Sequence, residues 1–498
     1  MKNRQTKKAR RILYFLLAVC CANPSFAQAY AKEYQLNRMS NSPTIIRSTD
    51  AGDMLMFHRD SSETLYHFTW RPANSNSAKT FAMVHEANML GGIGYQIHDM
   101  QVEDGICFFC GKKTIPIERI PTGGFVYKHV GFVGMFQLDV YSLAATSPID
   151  YFIYDVDKTL SLDKLTSYQD GVRTMFAAIG IPDTAGTEAC VAVFDFNLGA
   201  GITDWKYSLK HTTNSTEHFI DIAKTAKHLV ISSRRDDGDS NWAFYIRRGI
   251  SGDIASNSNM MSLDDIFRFN TSAMTTMDPT LPEQTTHRRN DASIRMSGNL
   301  NDDVFYLAYE SRTPNSSALN YSMSLYKMSI VPYGSVFMNR AMVLPGQYIQ
   351  PNTFKDIVYL YDNNMVALLH SDDEETANPS VVNLLRESTS SSPIDRLVFD
   401  DIFYTSMKDD NSGNFIYMGG TRSGTYKVVE GYQKMWSPED KYKSCSDVES
   451  DNAIDMTTVN CLPQSSVLTV STQEGNVVWK TKQSLILPYD FEAICTEQ

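Results

Sequence analysis

Ile97-His98-Asp99-Met100-Gln101-Val102-Glu103-Asp104-Gly105-Ile106-Cys107-Phe108-Phe109-Cys110-Gly111 reads as an apolar strand, an Asp-Gly turn and a second strand heavy in aromatic and β-branched residues. Asp-Gly between two such runs is hairpin chemistry, because glycine supplies the positive φ that a two-residue turn needs. The same phrase recurs from Ile294 to Leu300 through Asn301-Asp302-Asp303 into Val304-Phe305-Tyr306-Leu307. Three further copies follow the pattern: Phe219 to Ala223 before Leu229-Val230-Ile231, Asp356 to Tyr361 before Met365 to Leu369, and Phe399 to Tyr404 before Phe415-Ile416-Tyr417. Further strand-like runs follow, such as Trp242 to Ile246 and Tyr321 to Met328, and partial copies lie near Met54 and Phe176.

Spacings of about 45 to 75 residues between copies span the 40 to 50 residues of a four-stranded propeller repeat plus insertions. The expected fold is therefore all-β, a β-propeller of seven blades over residues 30–435. A pair of β-sandwiches also yields short alternating strands, but has no reason to repeat one phrase five times. Two short helices are expected as insertions, one capped by Ser262 and Asp265 and running through Phe269, the other opening at Ser161 with Lys164 and running toward Val172. Residues 436–498 differ in character, with Cys445, Cys461 and Cys495, few aromatics and one clear hairpin from Val467 to Trp479, and are read as a separate closing segment.

The N-terminus carries Lys2, Arg4, Lys7, Lys8, Arg10 and Arg11, then an apolar run from Ile12 to Ala22, then Ser25-Phe26-Ala27-Gln28-Ala29. A basic stretch, a short apolar core and a small-residue exit predict a secretory signal peptide over residues 1–29, the apolar run falling short of the ~20 residues that a membrane helix needs. The protein is expected to be exported, to the periplasm, the cell surface or beyond, with no integral membrane span after cleavage. Removing the six cations carries the formal charge from −12 to about −18. That acidity, with no Lys/Arg cluster left, argues against polyanions as partners, both nucleic acid and anionic membrane surfaces.

The exit Ser-Phe-Ala-Gln, the run Ile106-Cys107-Phe108-Phe109-Cys110-Gly111 and the later Val130-Gly131-Phe132-Val133-Gly134 resemble uncharacterised exported propeller-like proteins of Bacteroidota. The resemblance covers the strand phrases and implies a fold and a compartment; such propellers share no catalytic residues to carry over.

Motifs for chemistry are sparse. Cys107-Phe108-Phe109-Cys110 has redox or zinc spacing, but on a strand the two side chains take opposite faces with Cα atoms about 10 Å apart, beyond disulfide reach. At least one disulfide is expected instead among Cys445, Cys461 and Cys495, where a crosslink most helps a thin core. His85-Glu86 begins a zinc-helix motif that Met89 breaks, and neither a nucleophile elbow nor a Walker loop is present. No cofactor is expected beyond calcium, for which Asp236, Asp237 and Asp239, and Asp409 with Asn411, offer oxygen ligands in turns. Trp70, Trp205 and Trp242 offer flat faces for stacking on a sugar, and His98 and His370 could gather at a central channel. The expected function is a non-enzymatic binding or scaffold propeller recognising a glycan, peptide or partner protein. The alternative is a polysaccharide hydrolase or lyase whose acids and histidines come from several blades.

Overall fold

The computed structural model describes 35 strands together with the connecting residues 53, 105, 120–124, 138, 148–149, 156–158, 183, 189, 225–226, 302–303, 477–479 and 484. After β1 (Lys32–Leu36), four strands form the first sheet: β2 (Ile45–Ser48), β3 (Met54–Arg59), β4 (Tyr66–Arg71) and β5 (Lys79–Met83). The second is β6 (Gly94–Glu103), β7 (Ile106–Arg119), β8 (Phe125–Gln137) and β9 (Asp150–Asp155). The third is β10 (Thr159–Asp170), β11 (Arg173–Pro182), β12 (Cys190–Phe196) and β13 (Lys206–Thr212). The fourth is β14 (Glu217–Lys224), β15 (Leu229–Arg235), β16 (Asn241–Ile246) and β17 (Ile266–Asn270). The fifth is β18 (Arg288–Gly298), β19 (Val304–Arg312), β20 (Tyr321–Ile330) and β21 (Val336–Leu344). The sixth is β22 (Phe354–Leu360), β23 (Met365–Ser371), β24 (Ser380–Arg386) and β25 (Asp395–Phe399). The seventh is β26 (Ile402–Asp409), β27 (Phe415–Arg422) and β28 (Tyr426–Gln433), completed by β1 pairing antiparallel to β28.

Every sheet then receives a fifth strand from the C-terminal stretch, in reverse order. β29 (Val448–Asp451) pairs with β25, β30 (Met456–Thr457) with β21, β31 (Gln464–Ser465) with β17, and β32 (Val470–Asn476) with β13. β33 (Lys480–Gln483) then pairs with β9, β34 (Leu485–Leu487) with β5, and β35 (Glu492–Thr496) with β1. The chain thus visits the seven sheets once forward and once back. On the return it covers the edge of each sheet that would otherwise present unpaired N–H and C=O groups.

The five hairpins expected from the repeated phrase are the first two strands of sheets two, four, five, six and seven. The first strands of all seven sheets pack in a closed cycle: β2 on β6, β6 on β10, β10 on β14, β14 on β18, β18 on β22, β22 on β26, and β26 back on β2. Neighbouring sheets therefore cover both faces, and strands such as β7 at Ile106 to Cys110 and β23 at Met365 to Leu369 read as apolar runs without polar alternation. Cys107 and Phe109 join the core shared with Phe57, Phe68 and Trp70 of sheet one, while Phe108 and Cys110 join that shared with Phe176 and Phe194 of sheet three. Cys107 and Cys110 are unbonded and on opposite faces, as strand geometry requires. Gly105, at φ +71°, closes the turn between β6 and β7.

Among the described residues neither expected helix appears: residues 161–170 lie in β10, and residues 266–269 in β17. In β10 the pairing register slips between Leu162 and Lys164, a β-bulge that brings Leu162 and Leu165 into the same core cluster. Two apolar residues three apart on one face imitate helical spacing, and the bulge produces that spacing in a strand.

Candidate functional site

The ring of first strands concentrates the polar chemistry of the described residues. β6, β10, β14, β22 and β26 each slip register by one residue, at Ile97/Asp99, Leu162/Lys164, Phe219/Asp221, Phe354/Asp356 and Tyr404/Ser406. Such a bulge turns one side chain out of the strand's own ladder and toward its neighbour. Asp99 accepts from its own neighbour Met100 N (2.9 Å) with one oxygen and from Leu165 N on β10 (3.1 Å) with the other. Asp221 repeats this with Ile222 N (2.9 Å) and Met296 N on β18 (2.7 Å), and Asp356 with Ile357 N (3.0 Å) and Met407 N on β26 (2.9 Å). Ser297 Oγ accepts from Tyr359 N on β22, and Ser406 Oγ from Ile46 N on β2, both at 3.1 Å. The bonds to Leu165, Met296, Met407, Tyr359 and Ile46 are staples between neighbouring sheets, each satisfying a backbone N–H with a side-chain acceptor from the next sheet.

Charge follows the same level of the ring. The series Asp99, Lys164, Asp221, Arg295, Asp356, Ser406 alternates in sign until Ser406, and Arg47 on β2 closes it with an ion pair to Asp99 at 2.6 Å. Seven members cannot alternate fully without placing like charges side by side, and the uncharged Ser406 takes the odd seat. Arg47 also donates through Nε to Met100 O. Burial pushes the Asp221 carboxyl above its ordinary pKa, against the pull of Lys164, Arg295 and its two N–H donors. Glu103, at the end of β6, accepts from Ser167 Oγ on β10 (2.8 Å) and from Lys224 Nζ on β14 (2.7 Å), so an ion pair joins strands that are not neighbours in the ring.

His98 is a bulge residue whose Nδ1 lies 2.8 Å from Asp163 Oδ1 and 3.3 Å from Ser161 Oγ, and Ser161 also donates to Asp163. A nucleophilic triad needs the two ring nitrogens on different partners, one for the acid and one for the hydroxyl. Here one nitrogen serves both, so the geometry is that of a local hydrogen-bonded knot. Burial alone would raise the Asp163 carboxyl, but the bonds from His98 and Ser161 hold it below its ordinary value.

The other residues singled out by sequence fall elsewhere. Trp70, expected as a stacking platform, is instead buried on β4 between sheets one and two, and its Nε1 has no hydrogen-bond partner. His370 is likewise fully buried, on the second strand of sheet six rather than on the ring, because the sheet is covered on both faces. Trp242 lies on β16, Asp409 closes β26, and Cys495 lies on β35 opposite Glu33. Trp205, Asp236, Asp237, Asp239, Asn411, Cys445 and Cys461 lie outside the described residues. Among the described residues no three His, Cys, Asp or Glu side chains are grouped to hold a metal ion. Cys107, Cys110 and Cys190 are free and buried, and burial pushes their thiols up, away from the reactive thiolate form.

The stapling acids Asp99, Asp221 and Asp356 were missed as site residues. Their signal is the phrase apolar-x-Asp-apolar, present as Ile97-His98-Asp99-Met100, Phe219-Ile220-Asp221-Ile222 and Phe354-Lys355-Asp356-Ile357.

No protein-family model matches the chain, and no curated protein matches it. Among solved structures, a GH32 beta-fructofuranosidase of Bombyx mori, BmSUC1, is similar at 9% identity over 95% of this chain and 98% of that one, with a TM-score of 0.29. A variant of the same enzyme in complex with sucrose is similar at 8% identity over 84% and 93%, with a TM-score of 0.28. Likenesses this distant carry no argument about the activity of this chain.

Proposed function

We propose that the chain is a seven-bladed β-propeller that works outside the cytoplasm as a binding or scaffold module for a glycan, peptide or partner protein. Seven five-stranded sheets whose first strands touch in a closed cycle support the architecture. The observation that carries the functional reading is the commitment of the ring carboxylates. Asp99, Asp221 and Asp356 each spend both oxygens on backbone N–H groups, which suits them to holding blades in register rather than to exchanging protons with a substrate.

A hydrolase or lyase reading draws on one observation. His98 and Asp163 are paired and only partly buried, with 27% and 39% of their side chains exposed. A glycan array run beside a polysaccharide-cleavage screen on the purified mature protein separates the two. Retained binding without product release is expected, and the same result is expected of His98→Ala. Release of oligosaccharide that Asp163→Asn and His98→Ala both abolish would overturn the reading.

A further inference from the structure

β7 and β8 are longer than their sheet requires. β6 stops pairing with β7 at Thr114, and β9 stops pairing with β8 at Phe132, so residues 115–128 form a two-stranded arm beyond the sheet. Thr114 Oγ1 and His129 Nδ1 meet at 3.1 Å at its base. At its tip Ile120 N donates to Gly124 O and Gly123 N to Ile120 O, with Gly123 at φ +102°, which makes a defined turn.

The arm exposes apolar side chains that a solvated hairpin would not carry. Ile117 is 60% exposed, Tyr127 46%, Val126 39% and Ile120 38%, whereas most large apolar side chains of the described residues are buried. The register sets Pro116 opposite Tyr127 and Arg119 opposite Phe125 on one face, with the Phe125 and Tyr127 rings 6.3 Å apart. On the other face Val126 pairs with Glu118, and Ile117 is the extra residue of the bulge between Pro116 and Glu118. Exposed apolar side chains thus stand on the bulge, on both faces of the second strand and at the turn, among the charged Glu118, Arg119 and Lys128.

We propose that this arm inserts into the interfacial layer of a lipid bilayer. A flat protein groove would ask for apolar side chains on one face only, whereas a wedge that exposes them on both faces and at its turn, with charges between, suits the mixed apolar and polar interfacial layer that would surround it. Addition of a partner strand along the arm is discouraged by Pro116, which has no N–H to give, by the bulge at Ile117, and by Lys128 on the other strand. The overall charge of −12 argues against anionic surfaces, but on the arm itself Arg119 and Lys128 outweigh the one acid, Glu118, so the segment that would meet the headgroups carries one net positive charge. Its reach beyond Thr114 is roughly 20 Å at about 3.4 Å per residue, which allows interfacial seating and falls short of the ~30 Å hydrocarbon core.

The test is flotation of the mature protein with vesicles of phosphatidylglycerol and phosphatidylethanolamine, and with phosphatidylcholine alone. Co-flotation with the anionic vesicles is expected, with at least a tenfold loss in the double variant Ile117→Ser, Val126→Ser. Circular dichroism should remain unchanged in that variant, because both side chains are already in water. Tyr127→Trp should show a blue-shifted emission when those vesicles are added. Absence of flotation in the parent protein, undiminished flotation of the serine variant, or a dimer in light scattering that the serine variant dissociates would each overturn the proposal, the last by showing that a protein surface covers the arm.

Discussion

Replacing Asp221 tests whether the ring acids hold the sheets together. Asp221→Ala removes the acceptor of two strand N–H groups, Ile222 N at 2.9 Å and Met296 N at 2.7 Å. Each donor left buried without a partner costs about 1 to 3 kcal/mol, so a loss of about 2 to 6 kcal/mol is expected, before any added repulsion between Lys164 and Arg295. Asp221→Asn keeps the shape and one acceptor oxygen, turns an N–H donor toward the other strand N–H, and leaves a single orphan at about 1 to 3 kcal/mol. The pH dependence carries the sharper signature. The folded carboxyl titrates above its ordinary value because burial disfavours its charge. Between the unfolded and folded values the native state therefore binds more protons, and the parent loses stability as pH rises through that window. Asp221→Asn has no such loss, so its deficit should shrink from acid toward neutral pH. Guanidinium titrations of the mature proteins at several pH values, read as the midpoint of the first unfolding transition, measure both effects. An Ala variant with the parent midpoint, or an Asn variant falling further behind as pH rises, would refute the stapling argument.

Truncation after residue 435 should leave the outer edges of all seven described sheets uncovered, and light scattering should report aggregation where the full mature chain stays monodisperse; a soluble truncated chain with an unchanged melting point would contradict this. Gly134→Ala should lower the melting midpoint by the equivalent of about 1 to 3 kcal/mol, because the added Cβ would overlap the fully buried Phe109 ring, and an unchanged midpoint would show that the ring can yield. Asp155 receives Lys113 Nζ at 3.0 Å and Lys480 Nζ at 2.7 Å, and although burial opposes its charge the two lysines hold its pKa below the ordinary value. Its stabilising contribution is therefore present above the ordinary carboxylate value and lost as pH falls through the folded one, and an Asp155→Asn variant should show a shallower acid transition in a melting-point series. Non-reducing peptide mapping of exported protein should recover Cys107 and Cys110 unpaired with each other and a disulfide within residues 445–495; a bridge between Cys107 and Cys110, or free thiols at all three C-terminal cysteines, would contradict it.

The hairpin phrase around Asp104-Gly105 was legible because its information is local. A turn that needs positive φ selects glycine, and strands covered on both faces select unbroken apolar runs such as Ile106 to Cys110. The same unbroken runs concealed direction. Nothing in Cys107-Phe108-Phe109-Cys110 says that its odd members face sheet one and its even members sheet three. Bulges cost further legibility, since Leu162 and Leu165, three apart on β10 as on a helix face, share one core only because the strand slips by a residue.

Taken alone, then, the amino-acid order determined that the chain is built of repeated β-hairpins, where their turns fall, and that Cys107 and Cys110 on one strand stand apart. Only the tertiary structure decided what the acids do and where the last sixty residues go. Asp99, Asp221 and Asp356 look like any strand or turn acid until the next sheet brings up Leu165, Met296 and Met407, whose backbone N–H groups carry no residue signature. The returning strands β29 to β35 are as short as two residues and join their sheets through backbone hydrogen bonds. Almost any side chain can accompany such a bond, so their destinations leave no pattern in the sequence.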